Sequence, residues 1–84
     1  MDNSPLDVLS GAIGQPVWLI TKDPLEYTGT LLGFDEYVNV VLADAVSYEP
    51  MPETGLYSQE PLGTVLINGN VVEVIVPNGK GPSP

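Results

Sequence analysis

The sequence predicts a mainly β domain: a short N-terminal helix followed by a five-stranded, strongly bent, partly open antiparallel barrel. Three observations carry this expectation. One helix signature stops at Pro16. Beyond it lie only runs of β-forming residues cut by turn residues. One of those runs contains two glycines, Gly29 and Gly33, where a strand would bend toward closure. The 84 residues suffice for one domain, expected over 1–77, and the Gly/Pro-rich residues 78–84 read as a flexible tail.

The helix is expected to begin at Ser4, which can cap it, with Pro5 in the first helical position and Asp7 three residues after the cap. Leu6, Leu9 and Ile13 form its apolar face. Gly14 can end it in a left-handed conformation, and Pro16 prevents its resumption. The strands follow in order. Val17 to Lys22 is the first, and Asp23-Pro24 is a turn signal. Glu26 to Phe34 is the second, and Asp35 to Val38 a polar loop. Val40 to Tyr48 is the third, with Val40, Leu42, Val46 and Tyr48 on one face. Residues 49–63 hold Pro50, Pro52, Pro61, Gly55 and Gly63 and read as an irregular loop. Thr64 to Ile67 is the fourth strand, Asn68-Gly69-Asn70 a turn, and Val71 to Val76 the fifth strand.

Residues 64–67 and 71–76 are almost purely apolar, interrupted only by Glu73, and carry none of the lysines or prolines that protect an exposed sheet edge. Such edges are pairing surfaces, and head-to-tail pairing of copies or relatives closes into rings. A domain this small commonly needs a supplement to its core. Cysteine and histidine are both absent, which removes disulfides and the usual zinc ligands. Oligomerisation is the remaining supplement, and self-association of the purified chain is left open. Met1 to Pro5 lack the basic start and apolar core of a signal peptide. No stretch approaches the ~18 apolar residues that span a bilayer, so no membrane association is expected.

The same absences bear on chemistry. Without histidine or cysteine, neither a Ser-His nor a Cys-His pair can form. Asp35-Glu36 are sequence neighbours and read as a solvated loop rather than as two carboxylates flanking a sugar bond. No P-loop, EF-hand or dinucleotide-binding glycine pattern is present. The expectation is a non-enzymatic protein with no catalytic residue, metal or cofactor. The net charge is −9, from eleven acidic residues against Lys22 and Lys80, with no arginine. A self-sufficient binder of phosphate backbones would carry clustered cations.

Tyr37 and Asn39, two residues apart in a loop, nevertheless have the chemistry for single-stranded RNA. An aromatic face can stack a base, and an amide offers a donor and an acceptor matching the uracil edge. The bland alternative is a packed barrel aromatic beside a turn residue. Asn68, Gly69 and Asn70 have the same double reading: a hairpin turn, or amides near the bound base.

The stretch Gly29-Thr30-Leu31-Leu32-Gly33-Phe34-Asp35-Glu36-Tyr37-Val38-Asn39-Val40-Val41-Leu42-Ala43-Asp44-Ala45 resembles the first motif of the Sm and Sm-like family. In that motif a strand glycine leads to an aspartate, an aromatic or histidine, an asparagine and a later acid. Leu66-Ile67-Asn68-Gly69-Asn70-Val71 resembles the shorter second motif, and the likeness extends from about Leu6 to Pro77. The resemblance implies the Sm-like fold and pairing of the fourth and fifth strands between other Sm-like subunits in a seven-membered ring. It also implies a pocket for single-stranded, uridine-rich RNA facing the ring's centre. In that pocket Tyr37 would stack the base, Asn39 read its edge and Asp35 brace the loop, with Asn68, Gly69 and Asn70 closing the far side. Of the family's heteromeric rings, the nuclear one binds the uridine-rich 3′ end of the U6 spliceosomal RNA and the cytoplasmic one acts in mRNA decay. Nuclear and cytoplasmic locations are therefore both expected. Asn68 stands where most second motifs have arginine, which would stack and supply charge. That departure keeps open the alternative of a protein-interaction subunit that completes the ring with little RNA contact of its own.

Overall fold

The computed structural model describes residues 4–23 and 25–82. The Asp23-Pro24 turn and the last residues of the tail therefore fall partly outside the described residues. Helix α1 spans Pro5–Ser10, and five strands follow: β1 Pro16–Thr21, β2 Glu26–Phe34, β3 Val40–Met51, β4 Leu56–Ile67 and β5 Val72–Pro77. A 3-10 turn, Gly69–Val71, joins the last two. The strands form one antiparallel sheet in the order β4-β3-β2-β1-β5, so β4 and β5 are its two edges, as the sequence predicts.

The helix start follows the expected chemistry. Asp7 N donates to Ser4 Oγ at 3.2 Å and Ser4 N donates to Asp7 Oδ2 at 3.3 Å, a reciprocal capping box. Its end differs from the expectation. The helix stops at Ser10 with Gly11 as cap, and the chain turns on to Gly14, whose φ is +80°. The buried face is accordingly Leu9 and Ala12, while Ile13 is exposed. Once the chain leaves helical geometry after Gly11, the 3.6-residue period no longer decides which side chain faces the sheet.

The sheet bends where β2 has glycine. The β2–β3 register shifts between Thr28 and Thr30 and again between Leu31 and Gly33. At Gly29 a Cβ would stand 3.0 Å from both the Ala43 carbonyl oxygen and the Leu42 Cβ, so the bend brings the strands so close that a side chain there would force its neighbours to shift. The concave face collects Val17, Leu19, Leu31, Val40, Leu42, Ala45 and Ile67, closed at one end by Leu9 and Ala12. On β3, Ala45 takes the core position expected for Val46. The register with β4 shifts on both sides of Ala45, and Asp44 has φ +51°, so the alternation slips by one residue there.

The largest difference from the sequence reading lies at 49–63. The segment is not an irregular loop. β3 continues to Met51, a four-residue turn follows, and β4 begins at Leu56. Pro52 lies in that turn, and the other two prolines that suggested a loop sit where strands tolerate them. Pro61 is on the edge strand, and Pro50 lies beyond Tyr48, the last β3 residue paired with β2. The reach of Glu49–Ser58 past β2 makes this hairpin a two-stranded projection.

A second, smaller layer lies on the outer face. Trp18 Nε1 donates to Glu26 Oε1 at 2.8 Å, and Thr28 Oγ1 and Tyr48 Oη lie 3.1 Å apart. Residues past Pro77 fold back over it. Asn78 N donates to Pro16 O at 2.8 Å, the Gly79 backbone abuts Trp18, and Gly81 abuts the Tyr48 ring.

Leu31 and Leu42 are fully buried across from one another on β2 and β3, whereas Leu66 is 70% exposed. Leu42→Ala is therefore expected to cost about 2–5 kcal/mol of unfolding free energy. Leu66→Ala is expected to change it by no more than about 0.5 kcal/mol in the unassembled chain. Urea denaturation of both variants checks this.

Candidate nucleic-acid interface

The β2–β3 loop, Asp35 to Asn39, is built around one carboxylate. Asp35 Oδ1 accepts the backbone N–H of Tyr37 at 2.9 Å and of Asn39 at 3.0 Å, and Oδ2 accepts the Asn39 side-chain amide at 2.9 Å. An aspartate here can bind backbone groups two and four residues on, which a lysine or alanine cannot. The backbone closes the same turn, with Val38 N donating to Asp35 O and Asp35 N to Asn39 O, both at 3.1 Å. The Asn39 side-chain amide is the main reason the Asp35 carboxyl sits below its ordinary pKa of 3.8; a small loss of hydration opposes it, and the two backbone N–H groups add to the lowering.

The second loop docks on the first. Gly69 N donates to Asn39 Oδ1 at 2.6 Å. Asn68 caps the 3-10 turn, its Oδ1 accepting Asn70 N at 2.8 Å. At Gly69 there is no room for a side chain, because a Cβ would overlap the Tyr37 carbonyl oxygen and come within 2.8 Å of the Val38 carbonyl carbon. The five residues Asp35, Tyr37, Asn39, Gly69 and Asn68 are thus brought together, with Asn70 beside them.

Within this junction the side chains divide into two kinds. Asp35 and Asn39 are committed to holding the loops. Asn39 already uses its carbonyl and one amide hydrogen, so a second N–H and a second lone pair remain for anything else. Tyr37 is free: the residue is 72% exposed and takes no part in the buried core. The packed-aromatic alternative for Tyr37 does not describe this structure. Asn68 and Asn70 are exposed as well.

Two features escaped the sequence reading. Val38 has φ +65°, a left-handed backbone at a β-branched residue, and this orients the Tyr37–Val38 peptide against Gly69. Propensity argues against such a conformation for valine, so no local signal marks it. Lys22 N donates to Val71 O at 2.8 Å, which sets the β1–β2 turn, and with it one of the two lysines, at this end of the barrel. Beside the junction a groove of about 310 Å³ runs between α1 and β5, walled by Pro5, Val8, Val38, Val72, Val74 and Ile75. Among the described residues no group of three or more acidic side chains could hold a metal ion.

A bent sheet with two unpaired edges, and two loops clasped so that one aromatic ring faces outward, defines a small β-barrel binding module. The chain belongs to the LSM domain family, whose model matches residues 7–77. It is 46% identical over 78 residues to the probable U6 snRNA-associated Sm-like protein LSm5 of Dictyostelium discoideum, covering 93% of this chain and 78% of that one. Among solved structures it resembles the Sm protein of Pyrococcus abyssii in complex with a uridine heptamer, with 35% identity, a TM-score of 0.76, and 89% of this chain and 99% of that one covered. A heptameric archaeal Sm protein matches at 33% identity and a TM-score of 0.67, over 82% and 93% of the two chains.

The lowered Asp35 pKa gives the loop a pH dependence. The folded value lies below the unfolded one, so the carboxylate's contribution is present above about pH 4 and is lost as pH falls through the lowered folded value. In an acid titration followed by amide NMR, Tyr37 and Asn39 should shift together with a midpoint below 3.8, and Asp35→Asn should abolish that titration. Gly69→Ala should displace the β2–β3 loop and destabilise the fold by about 1–3 kcal/mol, read by urea denaturation.

Proposed function

We propose that this chain is an RNA-binding subunit of a heteroheptameric like-Sm ring, that this ring grips the uridine-rich 3′ end of U6 small nuclear RNA in pre-mRNA splicing, and that a cytoplasmic ring containing it takes part in mRNA decay. The observation that carries the reading is the outward Tyr37 ring on a loop made rigid by Asp35, Asn39 and Gly69. A base-stacking platform works only if it is held still before the base arrives, and base–aromatic stacking contributes about 1–3 kcal/mol per base. Tyr37 is the stacking residue. The spare N–H and lone pair of Asn39 address the base edge, and Asn68, Gly69 and Asn70 line the far side. Asp35 positions the loop without touching RNA.

Ring membership is supported by the two apolar edges, β4 and β5, at opposite ends of the sheet. Leu66 stands 70% exposed on one, and the α1–β5 groove lies beside the other, an arrangement suited to head-to-tail pairing. A relative named for U6 snRNA association and a neighbour solved with uridines point to the same ligand. The role is binding rather than catalysis, and the domain it needs is 1–77. A ring-completing role with little RNA contact is the second reading. It is favoured by Asn68, which is neutral where most of the family carries arginine, and by the engagement of both ends of the Asn39 amide.

Two outcomes are expected. The isolated chain, at net charge −9, should bind oligouridine poorly at moderate salt while the assembled ring binds it well. Tyr37→Ala should weaken ring–RNA binding by about 1–3 kcal/mol and leave assembly intact. Fluorescence anisotropy with labelled oligouridine, alongside native mass spectrometry of the ring, measures both. Unchanged affinity in an intact ring would favour the second reading.

A further inference from the structure

The two edges of the sheet are unequal: β4 has 12 residues and β5 has 6. If Thr64–Ile67 pairs with a neighbour's β5, as the ring reading requires, the first half of β4 stays unpaired on its outer side. In the chain by itself that half, Leu56–Pro61, is paired only with β3.

The prolines reveal which way its backbone points. Pro50 is opposite Tyr57, and Pro61 is opposite Val46. Proline has no N–H to exchange, so both are non-hydrogen-bonded pairs of the antiparallel ladder. The alternation then aims the N–H and C=O groups of Tyr57 and Gln59 away from β3, and leaves Leu56, Ser58 and Glu60 bonded to it. Side chains complete the surface. Leu56, Ser58 and Glu60 share one face with Glu49, which is opposite Ser58. Leu56 is 49% exposed, and Glu49 and Glu60 are exposed. No lysine or arginine occurs between Lys22 and Lys80.

We propose that Leu56–Pro61 is a docking edge for an extended basic peptide, which adds to the sheet as a sixth strand. Its backbone bonds to Tyr57 and Gln59, its alternate lysines or arginines lie beside Glu60 and Glu49, and an apolar side chain covers Leu56. Acids and a proline on an edge also serve to keep strands from pairing. That protection is selective here. The carboxylates repel strands of this chain, whose net charge is −9, but attract a cationic strand. Pro61 removes an N–H only at the end of the segment.

The test uses the full-length chain and a ten-residue peptide in which two lysines and a leucine occupy successive alternate positions, so that all three share one face, with valine elsewhere, followed by amide NMR and calorimetry. The expected result is perturbation of the Tyr57 and Gln59 amides, loss of binding when alternate peptide nitrogens are methylated, and no binding of the glutamate–valine counterpart. Glu49→Gln with Glu60→Gln should weaken binding by about threefold to tenfold. Absence of binding, binding indifferent to N-methylation, or perturbation confined to β5 amides would overturn the proposal. Ring assembly and oligouridine binding are read in parallel. If the ring fails to form while Tyr57 and Gln59 still respond, the docking edge stands and the ring reading falls.

Discussion

The candidate site depends on one close approach: the Gly69 backbone lies against the Tyr37–Val38 peptide, with Asn39 bonded to Gly69 on one side and to Asp35 on the other. Two loops about thirty residues apart in sequence become one rigid unit through a single side-chain amide. The arrangement has a cost. A valine in the left-handed region is unfavourable by about 1–3 kcal/mol, and such strain persists only where the surroundings over-determine it. Here five hydrogen bonds within the first loop and one between the loops do so. The Tyr37 side chain beside this valine stands outward rather than packed on the barrel.

The same bending that builds the site also keeps the sheet open. The register shifts at Gly29 and Gly33 curl β2 over the core, so that Leu9, Leu31, Leu42 and Ile67 meet in one apolar interior. Yet the sheet does not close on itself, because β4 and β5 each pair on one side only. A closed barrel would have no edge to offer. A chain of this length that leaves two apolar edges unpaired has placed part of its stability in association. The outer layer around Trp18 and Tyr48, covered by residues 78–82, adds a little burial on the opposite face.

Much of this was legible in the residues. The capping box at Ser4 and Asp7, the span of β2, its two glycine bends and the edge character of the last two strands follow from local chemistry and pattern. What was not legible has a common cause: tertiary context overrides a local signal. Pro52 does lie in the turn, but Pro50 and Pro61 also read as loop because proline breaks ladders, and it does so only where its missing N–H faces a partner. The exchange of Val46 for Ala45 in the core follows from a bulge whose marker, Asp44 at φ +51°, is an ordinary residue in sequence. The sequence named residues that the fold does bring together, but not the division of labour among them. The spacing of Tyr37 and Asn39 suggested two ligand-facing groups, whereas Asn39 spends half of its capacity holding the loops.

That division bears on how so acidic a chain could serve RNA. Neutralising phosphates needs cations, and this chain has two lysines, of which only Lys22 stands at the loop end of the barrel. Stacking and edge recognition need none: they require a flat ring held in place and an amide with spare valence. Asn68 adds no charge to this junction and spends its carbonyl on capping the turn that presents Gly69. On the proposed reading, the chain supplies the short-range, salt-insensitive part of recognition. In a ring of unlike subunits the long-range field is shared by all members, so one acidic member subtracts from a sum that its neighbours can restore. A chain of this composition makes physical sense as part of a mixed assembly. A ring built from seven copies would repel phosphate at every position.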